Sequence, residues 1–354
     1  MNSKNKSTSK FPFIVSLAAF IIVITGLIYG AALITPILMA LFISIICTQP
    51  IAFLMRKKVP QSLAVLIVFM ILIAIFIGLG DIIARSLSAF SENAGIYEKN
   101  LDKIGTSFLD FFNNRGFNIS FDNIEDLLEP SKIMGFTANL LSELGGVMGN
   151  LLTILFLVLF LLLELDDIAV KVDAILKDYS VNYSFFNVIG NSIRHYLSIK
   201  TLTSLITGIL IWIALTIIGV DYAILWGLIA FLLNYIPTIG SFIAAAPAVL
   251  FALVQLGFEG ALPTLIVFVA VNVIIGSILE PKLMGRGMGL STAIVFLSLI
   301  FWGFVLGTVG MFLSVPMTMT LKIMLEQNPK TKWIAIVLGT KKDAQALIDE
   351  NESA

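Results

Sequence analysis

The sequence predicts an all-α polytopic membrane protein with about eight transmembrane helices, some broken or re-entrant, and a helical extracytoplasmic insert. Of its 354 residues, 58% are hydrophobic and 13% are charged, and the mean hydropathy is +1.00. Soluble domains carry about 25% charged residues. Long apolar runs recur along the chain, and about 20 apolar residues suffice for a helix to cross the hydrocarbon core. In the second half, polar residues, glycine and proline interrupt these runs.

Composition and charge exclude several other classes of protein. The net charge of −1 gives no electrostatic basis for binding nucleic acid. The single cysteine, Cys47, rules out an intrachain disulfide and lies in an apolar run, which predicts a small buried hydrophobic side chain. One histidine, one cysteine and no HExxH motif do not favour an intramembrane enzyme. We therefore predict no enzymatic activity, no catalytic residues, no metal and no cofactor.

The first 80 residues predict a short tail and three transmembrane helices. Residues 1–10 are polar and basic, residues 11–80 hold three apolar runs, and a basic cluster, RKK (56–58), lies between the second and third. We interpret the first run as an uncleaved helix because it is too long for a typical signal peptide. The positive-inside rule places both basic segments in the cytoplasm, so the third helix emerges on the outside.

Residues 81–145 predict the extracytoplasmic insert. They hold five Lys or Arg against ten Asp or Glu, and their apolar residues recur at helical spacing. We expect amphipathic helices that continue out of the third span. Residues 146–164 form the predicted fourth transmembrane helix, and residues 165–200 a cytoplasmic amphipathic segment. His195, the only histidine, lies in that segment and is predicted to be a surface residue.

Residues 201–325 are the predicted transport unit, and residues 326–354 are a second cytoplasmic tail. Within this unit, NYIPTIG (234–240) breaks an apolar segment, because proline lacks an N–H and disfavours helix at the preceding residue. Residues 223–256 are therefore either two short spans or a re-entrant hairpin. Residues 293–324, interrupted by a glycine-rich stretch, leave the same two alternatives open.

The helix between the two interrupted segments carries its own polar residues. Asn272, Gly276 and Glu280 follow one another at four-residue spacing and share a broad face. Glu280 and Pro281 are expected to end this helix.

The two interrupted segments share a trace of one pattern. TIGSF (238–242) precedes Pro247, and TVGMF (308–312) precedes Pro316. Polar residues within a membrane are costly unless they find partners inside the protein. Paired interrupted helices at corresponding places in a chain are typical of secondary transporters, which build their solute sites from such breaks.

Three long motifs resemble one known family. They are WGLIAFLLNYIPTIGSFIAAAP (226–247), SILEPKLMGRGMGLST (277–292) and VFLSLIFWGFVLGTVGMFLSVPMTM (295–319). Together with RKKVP (56–60) and HYLSIKT (195–201), they resemble the autoinducer-2 exporter-like, or AI-2E, transporter family. The likeness covers nearly the whole chain and is strongest to the quorum-signal exporter branch.

The resemblance implies a multi-pass protein of the bacterial inner membrane, with cytoplasmic N- and C-termini. It implies export of the quorum-sensing signal autoinducer-2, or a related small polar solute, by an elevator-like movement of a transport unit against a scaffold. It also implies a homopentamer in contact with membrane lipid. Some members of the family are sodium/proton antiporters, so the family does not fix the solute.

Autoinducer-2 is rich in hydroxyl groups and is uncharged, or singly charged as its borate adduct, so its binding requires several hydrogen-bonding groups. The candidate substrate-binding residues are Asn234, Thr238, Ser241, Asn272, Ser277 and Ser291. The candidate gating or coupling residues are Pro237, Gly240, Glu280, Gly285, Arg286 and Gly287. Glu280 and Arg286 would pair, hold a hairpin shut or couple a cation. Each of three of these residues has an alternative, structural role: Glu280 as a carboxylate at a helix end, Asn234 as a helix cap, and Ser291 as an N-cap.

Two other functional classes remain as alternatives to a carrier. A channel would show a polar stripe along one long helix, and the first five predicted spans show none. A scaffold that recruits signalling proteins would show no flux. Solute flux that saturates at low rates in liposomes is expected for a carrier, whereas single-channel currents would reject it.

Overall fold

The structure is a computed structural model. It describes residues 11–93, 151–164, 183–284 and 289–341, together with single residues and short stretches within 95–106, 167–174 and 344–349. All of its regular elements are helical within these ranges. In chain order the helices are α1 (Phe11–Tyr29), α2 (Ala31–Arg56), α3 (Gln61–Glu92), α4 (Leu151–Leu163), α5 (Tyr183–Ile218), α6 (Ala223–Leu233), α7 (Gly240–Leu256), α8 (Phe258–Val271), a π-helix (Asn272–Leu279), α9 (Glu280–Met284), α10 (Thr292–Glu326) and α11 (Lys332–Leu338).

The prediction of an all-α polytopic membrane protein is confirmed. Within the described part of the chain, five helices are long and apolar enough to cross a membrane: Ala31–Arg56, Gln61–Phe90, Val188–Ile218, Phe258–Met284 and Thr292–Glu326. Four apolar helices are shorter: Ala18–Tyr29, Leu151–Leu163, Ala223–Leu233 and Gly240–Leu256. Their outward surfaces carry large exposed hydrophobic side chains, among them Phe20, Ile77, Phe160 and Phe304, as expected for contact with lipid.

Two helices extend beyond the bounds of the predicted spans. The predicted fifth span, from residue 201, is the second half of α5, which is one helix of 36 residues that starts at Tyr183. The polar lead before residue 201 is the first half of this helix. The helix that carries Asn272 was predicted to end at Glu280 and Pro281. This prediction is wrong, because helix continues to Met284. Proline is tolerated at the first position of a helical turn, and α9 begins at Glu280, directly after the π-helix.

The helix α10 is folded back on itself at Gly307. Gly307 has φ 66° and ψ −150°, a backbone conformation that is essentially restricted to glycine. The Trp302 indole N–H donates to the Thr318 hydroxyl at 3.0 Å. In a straight helix these residues, 16 positions apart, would be separated by about 24 Å. Residues 292–326 therefore form a hairpin, called here the second hairpin.

The buried side chains fall into three clusters. One joins α2, α3 and α4 and includes Ala40, Cys47, Val65, Val158 and Leu162. A larger one joins the far end of α3 to α5, α6, α7 and α8, and the third joins α5 to α10. Cys47 is buried, as its apolar surroundings predict.

Ser291 caps α10. Its side chain accepts a hydrogen bond from the Ile294 N–H at 3.3 Å, and its own N–H donates to the Leu338 carbonyl at 3.1 Å. We expect Ser291→Ala to lower the free energy of unfolding by about 1 kcal/mol, and Ser291→Asp to restore it, because aspartate is an equally good cap. Thermal unfolding of the detergent-purified protein measures this. A change in the KM for transport with no change in stability would instead assign Ser291 to solute binding.

Candidate functional site

The first hairpin consists of α6, residues 234–239 and α7, and it packs tightly along α5. Two glycines face each other where α5 and α6 cross. A Cβ atom on Gly208 would lie 2.8 Å from the Gly227 carbonyl oxygen, and one on Gly227 would lie 2.7 Å from the Gly208 oxygen. The absence of side chains lets the two backbones meet. This contact fixes the depth at which the tip of the hairpin reaches α5.

Four polar residues of α5 lie on the face that meets this tip. Lys200, Thr203, Ser204 and Thr207 follow the i, i+3, i+4, i+7 spacing of one helical face, and all four are buried. Lys200 is about 18 Å along the helix from Val188 and about 27 Å from Ile218. This face, called the α5 polar face, therefore lies within the apolar helix segment Val188–Ile218.

A buried ion pair joins the α5 polar face to the end of the next long span. The Lys200 ammonium donates to both carboxylate oxygens of Glu280, at 2.7 and 2.9 Å. The side chains are only 5% and 13% exposed. The Thr203 hydroxyl donates to the same carboxylate at 3.3 Å. Charges inside a membrane are costly, so such residues are paired and mark solute or ion pathways.

The tip of the first hairpin adds two further side chains. The Asn234 amide donates to the Ser204 hydroxyl at 2.9 Å, and the Tyr235 hydroxyl donates to the Thr201 hydroxyl at 2.9 Å. Asn234 is also the C-terminal cap residue of α6. One turn beyond Ser204, the buried Thr207 hydroxyl has no hydrogen-bond partner among the described residues. Polar groups of three separate chain segments thus meet in one buried cluster.

The two hairpins insert from opposite ends of the bundle. The first hairpin starts at the Ile218 end of α5, because α6 follows the short turn after that helix. The tip of this hairpin reaches Thr201 and Ser204 of α5. The open end of the second lies at the other end of α5, since Leu290 and Met319 pack in one cluster with Tyr196 and Leu197. The hairpins meet where the Tyr235 and Phe312 rings lie 6.1 Å apart.

The two hairpin tips share a local geometry. A Cβ atom on Gly240 would lie 1.8 Å from the Leu233 carbonyl oxygen, and one on Gly310 would lie 1.9 Å from the Trp302 oxygen. Each would also approach the Cβ atom of the residue four positions earlier, at 3.2 and 2.8 Å. These are the glycines of the TIGSF and TVGMF pattern, so the short repeat in the sequence corresponds to the same close approach in both hairpins.

The structure brings only some of the predicted site residues together. Asn234 and Glu280 both join the α5 polar face. Asn272 is half-buried in the π-helix, where its side-chain oxygen lies against Gly276, and π-helical turns are frequent at functional sites. Thr238 and Ser277 are exposed, Pro237 and Ser241 are half-buried, Gly240 is buried at the tip, and Ser291 is the α10 cap.

The predicted pairing of Glu280 with Arg286 stays a prediction, because Gly285, Arg286 and Gly287 lie outside the described residues. The described partners of the Glu280 carboxylate are Lys200 and Thr203.

Sequence reasoning missed Lys200, Thr203 and Ser204 as site residues. A signal was present, because Lys200 begins a run of polar residues at the spacing of one helical face within an apolar segment. The predicted span began at residue 201 and so left out Lys200, which is buried and paired with Glu280.

Comparison with known proteins identifies the family. Residues 17–330 match the model of the AI-2E family transporters. A putative transport protein of Haemophilus influenzae is 38% identical over 337 residues, covering 93% of this chain and 97% of its own. The AI-2 transport protein TqsA of Escherichia coli is 36% identical over 326 residues, covering 92% and 95%. The putative transport protein YhhT of the same species is 32% identical over 92% of this chain. The chain therefore belongs to the AI-2E transporter family, a family of membrane-embedded transporters.

Proposed function

We propose that this transporter exports a small polar solute, with autoinducer-2 as its substrate, by elevator-like alternating access in the bacterial inner membrane. The observation that carries the proposal is the buried Lys200–Glu280 pair, next to the tip of the first hairpin. Transporters place their solute sites near the membrane midplane, where broken helices of opposite orientation meet. The relative named as an AI-2 transport protein supports autoinducer-2 as the solute.

The hydrogen-bonding groups at the site suit a hydroxylated solute. Lys200 and Glu280 largely neutralise each other, so the cluster offers hydroxyl and amide groups with no net charge. Thr207 adds a buried hydroxyl without a partner among the described residues. In this proposal, the Asn234 amide gives up its hydrogen bond to Ser204 and donates to the solute instead, and the first hairpin moves together with α5 because Gly208 and Gly227 are in backbone contact.

The remaining features of the proposal follow the family resemblance. The assembly is a homopentamer, the α2–α4 cluster belongs to the scaffold, and both termini are cytoplasmic. The open end of the second hairpin then faces the cytoplasm and the turn after α5 faces outward. Crosslinking in native membranes and accessibility of single introduced cysteines test these assignments.

Sodium/proton antiport is the second candidate function. The observation in its favour is the same buried ion pair, because paired carboxylates and lysines within a membrane also form cation and proton pathways. Proteoliposomes distinguish the two functions. Autoinducer-2 uptake that saturates supports the first, and cation exchange that is unaffected by autoinducer-2 supports the second. Unitary currents would reject both in favour of a channel.

We expect Asn234→Ala to raise the KM for autoinducer-2 more than Ser204→Ala does. Both variants remove the same hydrogen bond of 2.9 Å, but only the first removes the amide proposed to bind the solute. Loss of one hydrogen bond corresponds to about a three- to tenfold increase in KM. Uptake by proteoliposomes, measured at matched protein content, tests this. Equal KM values for the two variants would show that Asn234 only caps α6 and positions the tip.

A further inference from the structure

A short helix, α11, lies across the open end of the second hairpin. At the start of α11, the Thr331 hydroxyl donates to the Leu325 carbonyl at 2.9 Å, at the end of one arm of the hairpin. At the end of α11, the Leu338 carbonyl accepts a hydrogen bond from the Ser291 N–H at 3.1 Å, at the start of the other arm. The helix therefore runs from one arm to the other across the end of the hairpin, instead of continuing along its axis.

The face of α11 that turns away from the hairpin is apolar. Ala335 is buried, whereas Trp333, Ile336 and Val337 are 64%, 38% and 64% exposed. These three residues follow the i, i+3, i+4 spacing of one helical face, so they form a continuous stripe, called here the α11 stripe. Apolar surface gains free energy when it leaves water, so the α11 stripe favours an apolar partner.

Lysines surround the α11 stripe. Residues 327–342, QNPKTKWIAIVLGTKK, contain four lysines and no aspartate or glutamate, although the whole chain has a net charge of −1. Lys330, Lys332 and Lys341 are exposed. They lie before and after the stripe along the chain, so positive charge flanks it at both ends. This combination is complementary to a partner with an anionic surface and an apolar interior.

The position of α11 at the end of α10 favours a lipid bilayer as that partner. α10 is long and apolar enough to cross a membrane, and Leu321 and Met324 near its end are exposed. The lipid-facing surface of α10 therefore extends almost to Glu326, where the helix ends. A helix that crosses the end of such a span lies at the level of the lipid headgroups. Tryptophan is enriched at this level, and lysine is attracted there by anionic lipids.

We propose that α11 is an interfacial helix that binds anionic lipid headgroups at the open end of the second hairpin. The apolar side chains of the α11 stripe enter the boundary between headgroups and acyl chains, and the three exposed lysines contact the lipid phosphates. The binding surface is distinct from the Lys200–Glu280 site, and the proposal does not depend on which solute is transported.

Fluorescence quenching tests the proposal with the full-length protein in vesicles of phosphatidylcholine and phosphatidylglycerol. A fluorescent label is attached to Val337→Cys in a Cys47→Ala background, so that it reacts at one position. Brominated acyl chains are carried by one lipid or the other at a fixed composition. The ratio of the two quenching constants then reports which lipid surrounds the label.

Ile77→Cys in the same background is the matched control. Ile77 and Val337 are 68% and 64% exposed. The nearest charges after Ile77 on α3 are Asp81 and Arg85, which neutralise each other as an ion pair. A label at this position therefore measures contact with lipid without a local excess of positive charge.

We expect the label at Val337→Cys to be quenched about fivefold more strongly by brominated phosphatidylglycerol, or more, because each lysine near an anionic surface contributes about this factor. The label at Ile77→Cys should show no preference. Glutamine at all three exposed lysines should bring the ratio close to one, whereas arginine at the same positions should keep it. The thermal midpoint should be unchanged in both triple variants, since the lysines are exposed.

Two outcomes would overturn the proposal directly: equal quenching by both lipids at Val337→Cys, or a preference that survives the glutamine substitutions. Absence of quenching by either lipid, together with crosslinking between the introduced cysteines of two protomers, would show instead that a second copy of the chain covers the α11 stripe. If the glutamine variant fails to fold, the labelled protein with its lysines intact decides. Its preference should fall as ionic strength rises, because salt screens exposed charges, and a preference independent of salt would contradict lysine–headgroup binding.

Discussion

Replacing Glu280 by glutamine is expected to abolish transport and to destabilise the protein by about 3–5 kcal/mol. The substitution leaves the Lys200 ammonium buried, 5% exposed, without its carboxylate partner. Lys200→Met should have a similar effect because it leaves the Glu280 carboxylate buried without its ammonium partner. The thermal midpoint in detergent and the initial rate of uptake in proteoliposomes measure the two consequences separately.

A double variant distinguishes a functional pair from an architectural one. Lys200→Met with Glu280→Leu replaces both charges by apolar side chains of similar length, which is often neutral or stabilising for a buried pair. We expect this variant to recover the thermal midpoint but not the uptake. Uptake at the wild-type rate would show that the pair only holds α5 against α9, and would overturn the proposed mechanism.

The chain also provides a matched control for these variants. Asp81 and Arg85 form an ion pair of 2.7 Å within α3, but their side chains are 52% and 80% exposed. Removing both charges, as Asp81→Asn with Arg85→Gln, should change stability by less than about 1 kcal/mol, because exposed pairs contribute little. A loss comparable to that of Glu280→Gln would indicate that burial is not what makes the Lys200–Glu280 pair important.

Alanine at either hairpin-tip glycine is expected to prevent the protein from folding or to inactivate it. The new Cβ atom would lie 1.8 Å from the Leu233 oxygen in Gly240→Ala and 1.9 Å from the Trp302 oxygen in Gly310→Ala. Overpacking usually costs about 1–3 kcal/mol, and a clash with backbone costs more because no rotamer change relieves it. The amount of folded protein after size-exclusion chromatography and its thermal midpoint measure the effect.

Gly78→Ala is the matched control for the hairpin glycines. Gly78 lies inside α3, and a Cβ atom there would meet no other atom within 4 Å. Alanine should stabilise this helix slightly, by about 0.5–1 kcal/mol, because glycine is the poorer helix former. If Gly240→Ala and Gly310→Ala behaved like Gly78→Ala, the tips would be looser than the structure indicates.

The short repeat in the sequence predicted a structural similarity between the two hairpins. TIGSF and TVGMF share only a few identical residues, yet their glycines permit the same close contact in two hairpins. The sequence left open whether residues 223–256 and 293–324 cross the membrane or re-enter it. The Trp302–Thr318 hydrogen bond shows that residues 292–326 fold back into a hairpin, and the Asn234–Ser204 hydrogen bond places the end of α6 against α5. Re-entry of either hairpin into the membrane stays a prediction.

The sequence by itself determined that the helices are surrounded by lipid and where two of them are interrupted. Hydropathy requires lipid around most helices, and a backbone in lipid must satisfy its hydrogen bonds within the helix, so the fold class follows from local composition. Proline and glycine also act locally, which is why the interruptions at Pro237 and near Gly307 were predictable. Asn234 and Glu280 were recognisable for the same reason, as polar residues in apolar surroundings.

Only the tertiary structure decided which polar groups meet. Lys200 and Glu280 are 80 residues apart, and Asn234 and Ser204 are 30 apart. Their pairing depends on the depth at which each helix lies, which is fixed by packing contacts such as that between Gly208 and Gly227. Sequence periodicity gives the face of a helix but not its height relative to a neighbour. That height is set by contacts between distant segments. It makes Lys200, predicted to lie in the cytoplasmic segment 165–200, the buried partner of Glu280.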